Sequence, residues 1–147
     1  EKELFELLKI YCQNFKKKID SSKETTLINS MNFLKNKAKT LSDIYQNAQY
    51  IINNVVKISK DDMELLNNTS KIILSNFLVE FEKKTKIDKE DLQKIINVLI
   101  EKHKTNFKAV GQPLRIALTG SRFGPEIYDI ILSLSKDEVV KRLKIIS

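Results

Sequence analysis

The sequence predicts an all-α fold. Three glycines and two prolines occur among its 147 residues, and all five lie at or after position 111. Apolar residues recur at spacings of three and four, which is the period of amphipathic helices rather than of strands. With 41% hydrophobic residues, a chain of this length can bury one ordinary core or two small ones. We predict two stacked small helical subdomains, residues 1–58 and 59–147, because an apolar helix ends and a new N-cap begins at that boundary.

The first subdomain is predicted to contain three helices, of which the first covers residues 2–19. Ser21 and Glu24 have the spacing of a capping box, which indicates that a second helix starts there. Thr40 or Ser42 can cap the third helix. The expected buried faces of the three helices are, in order, Leu4, Leu7, Leu8, Tyr11, Phe15 and Ile19; Leu27, Ile28, Met31 and Leu34; and Ile44, Tyr45, Ala48, Ile51, Ile52 and Val55.

The second subdomain begins with another N-cap pattern at Ser59, ahead of a short helix. The polar stretch 67–70 is predicted to interrupt the helical structure. The acidic segment 88–91 is predicted to start a further amphipathic helix. The expected buried faces are Ile72, Ile73, Phe77, Leu78 and Phe81 before this segment, and Leu92, Ile95, Ile96, Leu99 and Ile100 after it.

The segment 107–144 contains every glycine and proline of the chain and reads FKAVGQPLRIALTGSRFGPEIYDIILSLSKDEVVKRLK. Pro113 suits the first turn of a helix, where its missing N–H would have no partner. Gly120 suits the position just after that helix ends. Gly124-Pro125 is predicted to open a second helix, and Ser135 to cap a third. The segment therefore predicts three short helices joined by tight corners.

The net charge of +7 is distributed unevenly. Residues 1–101 carry 17 basic and 15 acidic side chains, whereas residues 102–147 carry 9 and 4. Codon bias explains part of the charge, since Lys, Asn and Ile are abundant together, but the basic excess in the last third favours a nucleic-acid partner. With Arg115 on the first short helix and Arg122 on the corner after it, we predict a concave basic face.

Patterns of catalytic and metal-binding residues are missing from the sequence. His103 is the only histidine and Cys12 the only cysteine, so the chain offers no zinc cluster and at most one histidine base. Cys12 is predicted to be a core residue of a protein in a reducing compartment. No apolar run is long enough to span a membrane. We expect a cytoplasmic protein with no active site, cofactor or metal in this chain.

Two motifs resemble those of bacterial glutamyl-tRNA synthetases. The stretch GQPLRIALTGS at 111–121, followed by GPEIY at 124–128 and SLSKDEVVKRL at 133–143, resembles their C-terminal signature. The stretch NKAKTL at 36–41 resembles their RAKTL motif, in the correct order and at about the correct separation. The resemblance implies the helical cage that binds the anticodon in a class I ligase. It also implies a catalytic domain outside this chain, which binds ATP and Mg²⁺ and attaches glutamate to tRNA-Glu.

The same resemblance implies which residues contact RNA. Lys37 would touch the first anticodon base, and Arg115 the second and third, together with the turn that contains Gly124 and Pro125. Lys37 stands where the family commonly has arginine, so we expect weaker discrimination at the first base and, as a hypothesis, charging of tRNA-Gln as well as tRNA-Glu. The complete set of predicted RNA-binding residues is Lys37, Lys39, Arg115, Ser121, Arg122, Gly124, Pro125 and Ile127.

The residue chemistry supports these roles to different degrees. Arg115 offers a planar fork that can bond or stack on an unpaired base. Pro125 and Ile127 offer an apolar surface, although a proline at a helix start needs no ligand to explain it. Thr119 and Ser121 are either backbone caps or phosphate donors. The alternatives are a helical protein-interaction module and, less favoured, a free-standing hydrolase. We expect a monomer that acts with its own catalytic domain and not at a membrane.

Overall fold

The computed structural model describes residues 2–14, 19–36, 38–53 and 56–146. Within these ranges the chain forms helices joined by turns and no β-strand, which confirms the all-α fold class. The chain divides into two compact units, Glu1–Val55 and Val56–Ser147, whereas the boundary predicted from the sequence lies between residues 58 and 59.

Three helices and a short 3₁₀ turn at Ser21–Lys23 make up the described part of the first unit. The helices are α1 (Lys2–Asn14), α2 (Glu24–Leu34) and α3 (Leu41–Ile52). The second unit contains α4 (Lys60–Glu64), α5 (Asn68–Glu82), α6 (Lys89–Lys102), α7 (Phe107–Thr119), α8 (Ile127–Ser133) and α9 (Lys136–Ile146).

In the first unit α1, α2 and α3 pack against one another. Helix α1 buries Phe5, Leu8 and Cys12, so the cysteine is a core residue as predicted. Leu7 was expected in this core but is 53% exposed, because the buried stripe is centred on Phe5 and Leu8 and leaves Leu7 to one side. Two further predicted core residues, Phe15 and Val55, lie outside the described residues. The predicted core residues that are buried in α2 and α3 are Leu27, Met31, Leu34, Ile44, Tyr45, Ala48, Ile51 and Ile52.

Helix starts were predicted with mixed success. Thr40 caps α3 in a capping box with Asp43, and Ser59 accepts a hydrogen bond from the backbone at the start of α4. The capping box predicted for Ser21 and Glu24 is wrong. Asp20 instead accepts a hydrogen bond from the Ser22 amide at 2.9 Å, and the 3₁₀ turn that it caps leads directly into α2.

In the second unit α7 packs against α5, α6, α8 and α9. The predicted break at 67–70 is shorter than expected, because Asn67 caps α5 and residues 68–70 form its first turn. Ile72 was expected in the core but is 56% exposed. Ile100 is half-buried. The other predicted core residues of α5 and α6 are buried: Ile73, Phe77, Leu78, Phe81, Leu92, Ile95, Ile96 and Leu99.

Pro113 lies in the middle of α7, so the prediction that it opens a short helix is wrong. The helix starts six residues earlier, where the side chain of Asn106 accepts a hydrogen bond from the Ala109 amide at 3.0 Å. A proline inside a helix removes one backbone hydrogen bond and costs about 3 kcal/mol. Burial of the surrounding apolar residues offsets this cost, since Val110, Leu114, Ile116 and Leu118 are all fully buried.

Candidate functional site

Residues 120–126, which we call the corner, connect α7 to α8. Gly120 ends α7 with φ of +84°, the left-handed conformation that glycine adopts most readily. A Cβ atom at this position would also overlap the carbonyl oxygen of Lys57. The start of the corner is therefore fixed both by its backbone conformation and by its contact with the chain segment ahead of α4. The sequence prediction that Gly120 follows the end of a helix is confirmed.

Two hydroxyl groups hold the first residues of the corner. Thr119 Oγ1 lies 2.8 Å from the Arg115 carbonyl oxygen and accepts a hydrogen bond from the Ser121 amide at 3.2 Å. The Phe123 amide in turn donates to Ser121 Oγ at 3.1 Å. Both side chains therefore bond backbone groups, which is one of the two roles left open by the sequence; a contact between either hydroxyl and RNA phosphate stays a prediction.

Arg115 lies in the C-terminal half of α7, and its side chain extends toward the corner that follows the helix. Its Nη1 donates to the Arg122 carbonyl oxygen at 3.0 Å, and its Nε is buried without a hydrogen-bond partner among the described residues. Burial lowers the pKa of Arg115 below its ordinary value, and the carboxylate of Glu126 partly opposes this shift. The guanidinium remains charged at neutral pH. One edge of the fork therefore fixes the corner, and the half-buried group still has a polar N–H that these residues leave unsatisfied.

Arg122 is held by an ion pair. Its Nε lies 2.6 Å from Oδ1 of Asp62, and Asp62 is 7% exposed. The hydroxyl of Ser59 donates to the other carboxylate oxygen at 3.1 Å. This ion pair ties the corner to α4 and neutralises the charge of Arg122. With Glu126 also close to Arg115, the corner has mixed charge, which makes it less basic than the face that the sequence predicted.

The structure brings five predicted RNA-binding residues together at the corner: Arg115, Ser121, Arg122, Gly124 and Pro125. Gly124 is exposed with φ of +138°, and open space surrounds the position that a Cβ would take. Ile127 follows the corner as the first residue of α8, but its side chain is 1% exposed. The expectation that Ile127 presents an apolar surface is therefore wrong, because its side chain belongs to the core.

The two predicted lysines belong to the first unit. Lys39 is exposed just ahead of α3, and its amide donates to the Asp43 carboxylate at 3.0 Å. Lys37 lies outside the described residues. Their RNA contacts stay predictions.

Phe123 was not among the predicted RNA-binding residues, yet it is 76% exposed at the tip of the corner. The Arg122 guanidinium lies 5.8 Å from the centre of its ring. A residue between Arg122 and Gly124 falls outside the helical periodicity, so its exposure could not be derived from spacing. The only available signal was its position beside an arginine and a glycine.

The described ranges offer no candidate for a metal site or a membrane span. No group of three or more His, Cys, Asp or Glu residues there could hold a metal ion. No described helix is both long and apolar enough to cross a bilayer.

Comparisons with known proteins agree with one another. A family model described as an anticodon binding domain matches residues 3–146. A glutamate–tRNA ligase from Pelagibacter ubique is 52% identical over 97% of this chain and 31% of its own length. Glutamate–tRNA ligase 2 from Zymomonas mobilis is 30% identical over 85% of this chain and 26% of its own length. The chain thus spans under a third of each of these relatives.

Two solved structures share the fold. One is a glutamate tRNA ligase from Elizabethkingia meningosepticum, with a TM-score of 0.74 and 17% identity over 97% of this chain and 28% of that one. The other is a glutamate-tRNA synthetase from Elizabethkingia anophelis, with a TM-score of 0.63 and 18% identity over 97% and 27%. At these identities the likeness shows the arrangement of the helices.

Proposed function

Because this chain belongs to the anticodon-binding domain family, we propose that it binds the anticodon loop of tRNA-Glu as the C-terminal part of a glutamate–tRNA ligase. The parent enzyme would attach glutamate to that tRNA. ATP and Mg²⁺ would be bound by a catalytic domain outside this chain, and the chain itself would supply recognition. The relatives named as glutamate–tRNA ligases support this proposal.

The observation that carries the proposal is the fixed, half-buried guanidinium of Arg115. Its Nη1 is bonded to the Arg122 carbonyl, while its Nε is buried without a partner in the described part of the chain. Leaving a buried charged donor unsatisfied is costly, and an RNA oxygen or base edge would relieve that cost. Bases in an unpaired loop expose such edges, and an arginine plane can also stack on them. A guanidinium already fixed by the corner loses little further entropy on binding.

Titration of this chain with tRNA-Glu at low and moderate salt tests the proposal. An Arg115→Ala variant should bind more weakly, and the slope of log affinity against log salt should become shallower by about 0.7 to 0.9 if one phosphate contact is lost. Lys141→Ala is the matched control, since it removes an exposed positive charge from α9 in the same unit. If both variants bind like the original chain, Arg115 does not contact RNA. If no tRNA binds at any salt, a protein-interaction module becomes the better hypothesis.

Choice between tRNA-Glu and tRNA-Gln depends on the third anticodon base, because codons for glutamate and glutamine differ only in their first base. A lysine at position 37, which would contact the first anticodon base, therefore gives no reason by itself to accept both tRNAs. By the family resemblance, Arg115 and the turn that contains Gly124 and Pro125 would contact the third base, so these residues would decide between the two tRNAs. Charging of both tRNAs by the full-length enzyme is the measurement, and a preference above about a thousandfold for tRNA-Glu would contradict relaxed recognition.

A further inference from the structure

Phe123 combines high exposure with a fixed position. The residue is 76% exposed, although transfer of a phenyl ring out of water is favourable by about 1.5–3 kcal/mol. Its amide is hydrogen-bonded to Ser121 Oγ at 3.1 Å, and the residue before it is tied to Asp62 at 2.6 Å. The ring is therefore presented to solvent from an anchored stretch of backbone.

Building on the proposed function, we propose that Phe123 is a stacking platform for an unpaired base of the anticodon loop. The Arg122 guanidinium lies over one face of the ring, 5.8 Å from its centre. The exposure of the residue leaves ring surface open to a second planar group. A base offers such a plane whatever its sequence, and aromatic stacking of this kind contributes about 1–3 kcal/mol per base.

The neighbours of Phe123 favour RNA over an apolar protein surface as the occupant. Arg115, whose Nε has no partner among the described residues, is bonded to the backbone of the residue next to Phe123. An exposed ring beside guanidinium groups is the combination with which proteins hold splayed-out single-stranded bases. A partner with an apolar pocket would have to bury these polar groups without satisfying them. Arg115 would then bond the loop while Phe123 fixes the stacking of one base.

The experiment uses stem-loops with the anticodon arm of tRNA-Glu, in which 2-aminopurine replaces each loop base in turn. Stacking on Phe123 should quench the fluorescence at one loop position when this chain binds. Phe123→Ala should abolish that quenching and weaken binding about 5- to 150-fold, which is the range that corresponds to about 1–3 kcal/mol. Phe123→Tyr should retain both. Because stacking involves no phosphate, Phe123→Ala should leave the salt dependence of binding unchanged, unlike Arg115→Ala.

Two controls separate stacking on the ring from a general effect of apolar surface. Ile145→Ala removes an apolar side chain that is 73% exposed on α9 and should leave binding unchanged. Phe123→Leu keeps an apolar side chain without a π-face, so it should behave like Phe123→Ala. Circular dichroism of each variant should match that of the original chain, since neither side chain is in the core.

The outcomes distinguish this inference from the function on which it rests. If the original chain binds no stem-loop, the proposed function fails. If Arg115→Ala weakens binding while Phe123→Ala behaves like Ile145→Ala, the function stands and the stacking role is overturned. Original affinity in Phe123→Leu would also overturn stacking, because apolar contact alone would then account for the role of the residue.

Discussion

The Nε atom of Arg122 lies 2.6 Å from Oδ1 of Asp62, a residue 60 positions earlier in the chain. The carboxylate is buried at the start of α4, where Ser59 also donates to it. The carbonyl of Arg122 accepts the hydrogen bond of Arg115, so the position of that guanidinium depends on the ion pair. A residue of α4 with no expected RNA contact thereby supports the candidate site.

Asp62→Ala should destabilise the second unit and weaken tRNA binding. A hydrogen bond to a charged group contributes about 1.5–3 kcal/mol, and the partial exposure of Arg122 places the loss near the lower end. Chemical denaturation measures the stability, and tRNA titration measures the effect on the corner. Asp61→Ala, at the exposed neighbouring position, is the control and should change neither. Full tRNA affinity in a folded Asp62→Ala chain would show that the corner does not need this support.

Gly120→Ala should be strongly destabilising. The positive φ costs about 1–3 kcal/mol for a residue with a side chain, and overlap of the new Cβ with the Lys57 carbonyl adds to this cost. The comparison is Gly111→Ala, where the new Cβ would lie 3.3 Å from a ring carbon of the partly exposed Phe107. Since that ring can move, the helix should gain up to about 1 kcal/mol from the loss of glycine. Equal thermal stability of the two variants would contradict this difference.

Arg142→Ala should destabilise the junction of α7 and α9. The side chain is 3% exposed, and its Nη1 donates to the Leu118 carbonyl in the last turn of α7 at 2.7 Å, while its Nε pairs with Glu138 at 2.9 Å. Leaving that carbonyl unsatisfied costs about 1–3 kcal/mol, and loss of the buried stem adds to it. Lys141→Ala removes an exposed charge from the adjacent position and should leave the denaturation midpoint within experimental error. A similarly small shift for Arg142→Ala would show that water replaces the guanidinium.

Asp88→Asn should reduce the sensitivity of folding to acid. The pKa of Asp88 is lowered below its usual 3.8. The largest cause of this shift is the hydrogen bond that the Asp91 amide donates to the Asp88 carboxylate. A depressed folded pKa stabilises the protein above the unfolded pKa, and this stabilisation is lost as the pH falls through the folded pKa. Asparagine keeps the cap acceptor but does not titrate. Melting temperatures from about pH 2 to 6 should therefore fall less in the variant than in the original chain; identical curves would exclude Asp88 as a source of acid sensitivity.

Local sequence determined most of the helices of this protein. Caps at Thr40, Ser59 and Ser135 form with backbone groups three residues away, and Gly120 ends α7 through its own conformational freedom. Apolar spacing also identified most of the buried faces, since helix geometry fixes which residues share a side. These features depend on contacts within about one helical turn, so the sequence alone can specify them.

Tertiary structure decided the rest. Pro113 lies inside α7 rather than at its start, because burial of the helix offsets a missing hydrogen bond that local rules penalise. Ile127 is buried and Phe123 exposed, although both are apolar and only four positions apart. The pairing of Arg122 with Asp62 joins residues whose separation in sequence carries no signal. These long-range contacts decide which arginine is neutralised and which has an N–H without a partner in the described part of the chain. Charge interactions act between neighbours in space rather than in sequence.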